Sequence, residues 1–286
     1  MNINKVVVVG GGTMGAGIAQ LFAQHGFYTT ICEINQELAD AARQRVEKSL
    51  RKRVEKGKMS AGEMEQIMAH LSAAAGLEPV READFVVESV IEVLDAKKQV
   101  FTEADKLARP GVILVTNTTS LSISAMAEVT SRPELVCQMH FFNPPVVMKL
   151  VEIMPGKKTA PETIEKVREL AVFLGKDPVV CKDEAPAGIV SRCLGQLLNE
   201  ATWLVESGVA EPADIDKAMK LGANHPMGPL ELIDMIGLDV HRAKMQTLQR
   251  VLDDPRYRHP PVVDRLIEQG KLGRKTGEGF YKYEKK

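Results

Sequence analysis

Cysteine is scarce and scattered. The four residues, Cys32, Cys137, Cys181 and Cys193, form no C-x-x-C pair. That excludes a disulfide framework and a cysteine zinc site, and it predicts reduced thiols in the core. Charge of one sign is lacking too. Lys plus Arg total 37 against 38 for Asp plus Glu, a net charge of −1. Nothing general in that balance attracts nucleic acid or a membrane surface. No apolar run approaches the roughly 18 residues of a membrane span. The start, Met1-Asn2-Ile3-Asn4-Lys5, runs straight into valines without the charged, apolar and cleavage segments of a signal peptide. Low-complexity tracts and internal repeats are missing as well. The expectation is a cytoplasmic protein with no metal, no nucleic acid and no membrane partner. Against these absences, 44% of the 286 residues are hydrophobic and 26% charged, enough to bury a core in one large domain or two ordinary ones.

Short β-rich runs and helical stretches alternate through the first half. Strands are predicted at Lys5–Val9, Tyr28–Cys32, Phe85–Val87, Val112–Val115, Leu135–Met139, Lys149–Ile153 and Pro178–Cys181. Several are continuous apolar runs, as suits strands buried on both faces of a mostly parallel sheet, and helices between them supply the crossovers. After Cys181 the texture changes. The polar connector 182–188 leads into helical patterns, with no convincing strand before Phe280-Tyr281. A helix over Ile189–Ser207 ends in Ser-Gly, Pro212 suits a first helical turn, and Gly222 suits a C-terminal cap. The reading is an α/β domain over residues 1–184 and an all-α C-terminal domain over 185–286.

Val6–Val9 runs directly into Gly10-Gly11-Gly12-Thr13-Met14-Gly15, and a helical pattern follows. A bare G-x-G-x-x-G is weak evidence and could be an empty turn; strand, glycine turn, helix and second strand in sequence give it meaning. Gly10 makes the tight turn, Gly12 admits a pyrophosphate, and Gly15 lets helix and strand pack closely. Thr13 and Met14 open the helix whose free N–H groups would meet the phosphates. The second strand ends at Glu33, where a carboxylate accepts hydrogen bonds from an adenosine ribose and repels a 2′-phosphate. That predicts NAD rather than NADP.

From Arg43 to Lys58 the chain carries eight basic and two acidic residues, with Val46, Leu50 and Val54 spaced four apart. Such an amphipathic helix is commonly just a solvated face, but its local charge of +6 also suits an anionic substrate handle. Strand Val112–Val115 empties into Asn117-Thr118-Thr119-Ser120, hydroxyls at the ligand-binding edge of a parallel sheet or simple helix caps. His140 follows the next strand, and Glu152 lies twelve residues on, inside an apolar strand. A buried carboxylate wants a partner. A His–Glu pair satisfies it and makes the imidazole a better base for removing an alcohol proton as hydride leaves.

The blocks at 10–19, 117–121 and 139–144 (Met-His-Phe-Phe-Asn-Pro) resemble the L-3-hydroxyacyl-CoA dehydrogenase family, most closely its bacterial 3-hydroxybutyryl-CoA members. So do 148–152, 224–229 (Asn-His-Pro-Met-Gly-Pro) and 275–281 (Lys-Thr-Gly-Glu-Gly-Phe-Tyr), and the likeness covers nearly the whole chain. It implies a Rossmann-type NAD domain, a helical domain that dimerises, a substrate cleft between them and a homodimer acting on acyl-CoA in fatty acid metabolism. By that resemblance His140 is the catalytic base and Glu152 orients it. Glu33, Glu92, Lys97, Asn117, Thr119, Asn143 and Lys275 match cofactor positions, and Ser49 and Lys56 match coenzyme A positions. Two positions depart from the family. Thr119 replaces a substrate-contacting serine, and Ser191 replaces an asparagine counted among the catalytic residues. Competing readings keep the scaffold: a dehydrogenase of a longer or dicarboxylic 3-hydroxyacyl-CoA or of a free 3-hydroxy acid, or a non-catalytic dinucleotide-binding protein.

Overall fold

A computed structural model describes residues 3–284. The chain divides into two units, Met1–Ala185 and Pro186–Lys286. The first is built on one eight-stranded sheet in the order β3-β2-β1-β4-β5-β6-β7-β8. Its strands are β1 (Lys5–Val9), β2 (Tyr28–Glu33), β3 (Leu71–Ala75) and β4 (Phe85–Glu88), then β5 (Ile113–Thr116), β6 (Val136–Phe141), β7 (Leu150–Pro155) and β8 (Asp177–Val180). All neighbours are parallel except β6 and β7. Helices α1 (Thr13–Gln24), α2 (Gln36–Glu55), α3 (Ala61–Ala69), α4 (Leu94–Leu107), α5 (Ile123–Ala127) and α6 (Pro161–Phe173) complete the unit. Two apolar cores form, one on each sheet face. Val6, Val8, Phe22 and Phe85 lie in one, and Val7, Val9, Val86 and Phe101 in the other. This two-sided burial is why the strands read as unbroken valine and isoleucine runs. The strand order reverses beside β1, so the glycine turn after β1 sits at the switch point, where open α/β sheets hold ligands.

Several elements differ from expectation. β3 has the sequence Leu-Ser-Ala-Ala-Ala, poor in β-branched residues, and the sequence did not reveal it. It pairs as an edge strand on β2, where tertiary pairing outweighs weak propensity. The basic helix begins earlier, at Gln36, because the Asn35 side chain caps it through Leu38 N at 2.9 Å. His140 lies inside β6 rather than after it, since pairing with β7 extends that strand to Phe141. Leu135 falls outside β6, in a single 3-10 turn. Cys32 and Cys137 are buried, whereas Cys193 is exposed.

The second unit is helical: α7 (Val190–Glu206), α8 (Pro212–Gly222), α9 (Pro229–Ile236), α10 (Leu238–Leu252) and α11 (Pro261–Glu268). Gly222 is the last helical residue of α8 and Ala223 the cap. Phe280-Tyr281 is no strand; its segment makes isolated bridges through Glu278. Two buried aspartates tie that tail down instead. Asp234 accepts Phe280 N and Tyr281 N, both at 2.9 Å, and Asp216 accepts Leu230 N at 2.8 Å and Tyr281 OH at 2.7 Å. Burial pushes the Asp234 carboxyl above the ordinary value against the pull of those donors. A Cβ on Gly279 would lie 2.1 Å from Asp234 Oδ1, and one on Gly228 would lie 2.2 Å from Asp216 Cγ. Both glycines are therefore fixed by close approach, which accounts for their place in the 224–229 and 275–281 blocks.

Candidate active site

The glycine turn is shaped by contacts that leave no room for a side chain. Gly10 has φ +95°, and its Cβ would lie 2.6 Å from Ser89 O; a Cβ on Gly15 would lie 1.8 Å from Gly10 O. Above Gly12, by contrast, space is open within 4 Å. Gly12 is the N-cap of α1, and no side chain caps that helix, so Thr13 and Met14 present their N–H groups to the opening. Glu33 Oε1 accepts Gly11 N at 2.6 Å, while Arg45 on α2 donates to Gly11 O. The turn is thus gripped on both sides of one residue, Gly11. Beside it lies a cavity of about 640 Å³, lined by Gly10, Gly12, Glu33, Ile34, Leu38 and Ile91. Ile34 and Ile91 are 84% and 70% exposed, an unusual expense of apolar surface unless a flat ring covers it. An open glycine, uncapped N–H groups, a carboxylate and an apolar slot fit a dinucleotide.

Further along the same sheet edge, a second group of residues rests on buried charge. Glu88 ends β4 and is 1% exposed. Its Oε1 accepts Lys97 Nζ at 2.7 Å and Val90 N at 2.6 Å, and its Oε2 accepts Thr116 Oγ1 at 2.6 Å. Lys97, equally buried on α4, also reaches Glu92 Oε2 at 3.4 Å. Glu92 Oε1 then gathers the 117–120 turn. It accepts Thr118 Oγ1 at 2.5 Å, Thr119 N at 2.9 Å and Ser120 N at 3.1 Å. Burial pushes the Glu92 carboxyl up, but Lys97 and these donors outweigh it and hold it below the usual carboxylate range. Asn117 Oδ1 accepts Phe141 N at 2.9 Å, stitching the turn to β6.

The antiparallel pairing sets His140 directly opposite Glu152. His140 Nδ1 lies 3.2 Å from Glu152 Oε2, and the other ring nitrogen, Nε2, lies 3.4 Å from Thr119 Oγ1. Both side chains are nearly buried, at 8% and 1% exposure, and the Phe142 ring lies 4.7 Å from the imidazole between centroids. The carboxylate occupies Nδ1, so Nε2 is the nitrogen that can exchange a proton with a ligand, beside a hydroxyl that can donate to the same ligand atom.

The remaining expected residues are more scattered. Asn143 is exposed in the loop between β6 and β7. Ser49 is half-buried on α2, and Lys56 is its exposed C-cap residue. Val46 and Leu50 bury the apolar stripe of α2 and leave its basic residues largely outward. Ser191 lies in the first turn of α7, and Lys275 pairs with Asp239 Oδ2 at 2.6 Å; both belong to the second unit. Glu88 and Arg45 are the site residues that sequence reasoning missed. Glu88 had a readable signal, a carboxylate ending an apolar strand, as Glu152 has inside β7. Arg45 had none beyond the basic run.

Comparison with known proteins settles the family. The family model described as 3-hydroxyacyl-CoA dehydrogenase, NAD binding domain, matches residues 5–184, and the C-terminal domain of the same enzyme matches residues 189–283. The chain belongs to the 3-hydroxyacyl-CoA dehydrogenase family. It is an NAD-dependent member, and the dinucleotide that fits the glycine turn is NAD. The 3-hydroxybutyryl-CoA dehydrogenase of Clostridioides difficile is 42% identical over 281 residues, covering 98% of this chain and all of that one. The mitochondrial hydroxyacyl-coenzyme A dehydrogenase of Sus scrofa is 39% identical over 289 residues, covering 98% and 91%. Among solved structures, (S)-3-hydroxybutyryl-CoA dehydrogenase from Ralstonia eutropha has a TM-score of 0.95 at 38% identity, covering 99% and 100%. Among the described residues, no helix of this family member is long and apolar enough to cross a membrane.

Proposed function

We propose that this dehydrogenase interconverts (S)-3-hydroxyacyl-CoA and 3-oxoacyl-CoA, with 3-hydroxybutyryl-CoA as the preferred chain length. The single observation that carries the chemistry is the line Thr119 Oγ1, His140 Nε2 and Nδ1, Glu152 Oε2, with spacings of 3.4 and 3.2 Å. Held at the glycine turn with its ribose toward Glu33, NAD would supply the hydride acceptor, or in reverse the donor, for the substrate's third carbon. His140 Nε2 takes the hydroxyl proton in oxidation and returns it in reduction, so the alcohol loses one hydride and one proton overall. Glu152 accepts at Nδ1, holds the ring plane and balances the imidazolium that forms. The Thr119 hydroxyl donates to the substrate's 3-oxygen as negative charge gathers there. A donor fixed toward developing charge contributes roughly 3 kcal/mol to such a barrier.

Roles for the other residues follow the resemblance, supported for Glu33, Glu92 and Lys97 by their contacts. Glu33 Oε2 would accept from the ribose hydroxyls while Oε1 stays on Gly11 N. Glu92 and Lys97 set the turn that brackets the cofactor, with Asn117, Asn143 and Lys275 as further contacts. Ser49 and Lys56 receive the coenzyme A handle, to which the outward basic residues of α2 lend attraction. Ser191 takes up part of the role of the asparagine it replaces. Domain roles follow the resemblance: residues 1–184 bind NAD, and residues 185–286 serve substrate binding and homodimerisation.

The experiment is NADH oxidation against 3-oxoacyl-CoA thioesters of increasing chain length, with free acetoacetate as the control. Acetoacetyl-CoA should be turned over fastest and free acetoacetate barely at all. Equal rates on both would make the enzyme a free-acid dehydrogenase. Tight NADH binding with no turnover on any of them would make the chain a binding protein.

A further inference from the structure

Lys176 is a buried cation that the chemistry above does not use. It follows α6 and precedes β8, is 6% exposed, and donates from Nζ to Pro145 O at 2.6 Å and to Met148 O at 2.9 Å. Desolvating an ammonium is costly, and burial pushes this one below the ordinary lysine value. Fixed carbonyls offset that cost only where the cation stays in place. Both carbonyls belong to the 142–149 loop, the connection between the strand carrying His140 and the strand carrying Glu152. Within the loop Val147 N and Met148 N both donate to Pro144 O, at 2.9 and 3.0 Å, so the segment is folded into a turn. Pro145 also packs on α1 at Gly17, where a Cβ would lie 2.9 Å from the proline ring. Counting from this loop, Phe141 pairs with Val151 and His140 with Glu152, so the proton-transfer pair is the second rung of the hairpin.

We propose that Lys176 is a positioning residue for the dehydrogenase reaction: by gripping Pro145 O and Met148 O it fixes the loop that sets His140 against Glu152. Loop geometry determines strand register in a hairpin, and the first rungs feel a loosened loop most. A lysine does this with one compact charge and several donors on a stem long enough to reach both carbonyls. The inference rests on the functional reading of His140 and Glu152 given above.

The test compares Lys176→Met and Lys176→Arg with the parent protein in two assays: acetoacetyl-CoA-dependent NADH oxidation, and amide hydrogen exchange followed by mass spectrometry. Lys176→Met should lower kcat about tenfold, with KM for both substrates within about twofold, because misplacement of a reacting group by a fraction of an ångström costs rate before binding. Exchange should quicken in residues 142–149 and stay unchanged in β1 and β4. Lys176→Arg, which keeps a donor for each carbonyl, should recover at least half of the lost kcat. A parental kcat in Lys176→Met overturns the proposal. So does exchange that quickens throughout the sheet with no recovery by arginine, the mark of a purely structural lysine. If the parent itself turns over no acyl-CoA, the functional reading fails separately, and exchange in 142–149 still decides whether Lys176 fixes the loop.

Discussion

The β1–β2 end of the sheet and the β4–β7 end meet their ligands with opposite materials. Around β1 the site is made by subtraction: glycines at 10, 12 and 15 remove side chains so that backbone and helix terminus come forward, and one carboxylate, Glu33, finishes it. Around β5 and β6 it is made by addition. A buried pair, Glu88 and Lys97, and the partly exposed Glu92 carry a turn of hydroxyls up to a histidine–glutamate pair. The first end binds by shape and should fail when atoms are added. The second works by charge and directed donors, and should fail when charge is removed with shape kept.

The largest effect expected from that contrast is at Glu88. Glu88→Gln keeps the shape and removes a charge beneath the turn, and breaking a buried ion pair costs about 3 to 5 kcal/mol. Thermal unfolding should show a clear fall in Tm, and a loss under about 1 kcal/mol would mean that the buried charges carry little of the turn. Thr119 comes next. Thr119→Val should lose about two decades of kcat although its shape is nearly kept, whereas Thr119→Ser stays active. Ser191→Ala is the control. Full activity in Thr119→Val together with loss in Ser191→Ala would move the donor role to α7.

How far each end could be read in advance follows from the same contrast. The glycine turn is local, with strand, turn and helix contiguous in the chain, so a motif suffices. The charged end is assembled from β4, α4, β5, β6 and β7, and only the topology brings Glu88, Glu92, Thr119, His140 and Glu152 together. His140 and Glu152 were legible as a pair because a carboxylate in an apolar strand needs a partner. The antiparallel rung that joins them was not. Glu88 gave the same signal and went unread, since nothing in the spacing pairs it with Lys97, which the resemblance marks only as a cofactor position. β3 was invisible for a different reason: Ser72 and three alanines carry no strand pattern, and only pairing with β2 makes them one.

Smaller effects sharpen the binding side. Glu33→Ser removes the ribose acceptor and the charge that repels a 2′-phosphate together. NAD affinity should fall about tenfold, the worth of one charge-assisted hydrogen bond, while discrimination against NADP relaxes. A parent protein that already prefers NADPH would contradict this reading of Glu33. Lys56→Glu is the smallest. If α2 receives the coenzyme A phosphates, KM for acyl-CoA should rise about two- to fivefold with KM for NADH unchanged, and the difference should shrink at high salt. An unchanged KM would leave α2 as a solvated face.

The central claim is that the cofactor's affinity comes mainly from the β1–β2 end, whereas proton transfer resides in the His140–Glu152 pair at the other end. Its most direct test is NADH titration and acetoacetyl-CoA turnover measured together on His140→Ala. The account predicts a kcat lower by about two to four decades, the usual loss for a missing general base, with the NADH Kd within about twofold of the parent. Near-parental turnover, or a Kd that weakens in step with kcat, would contradict it.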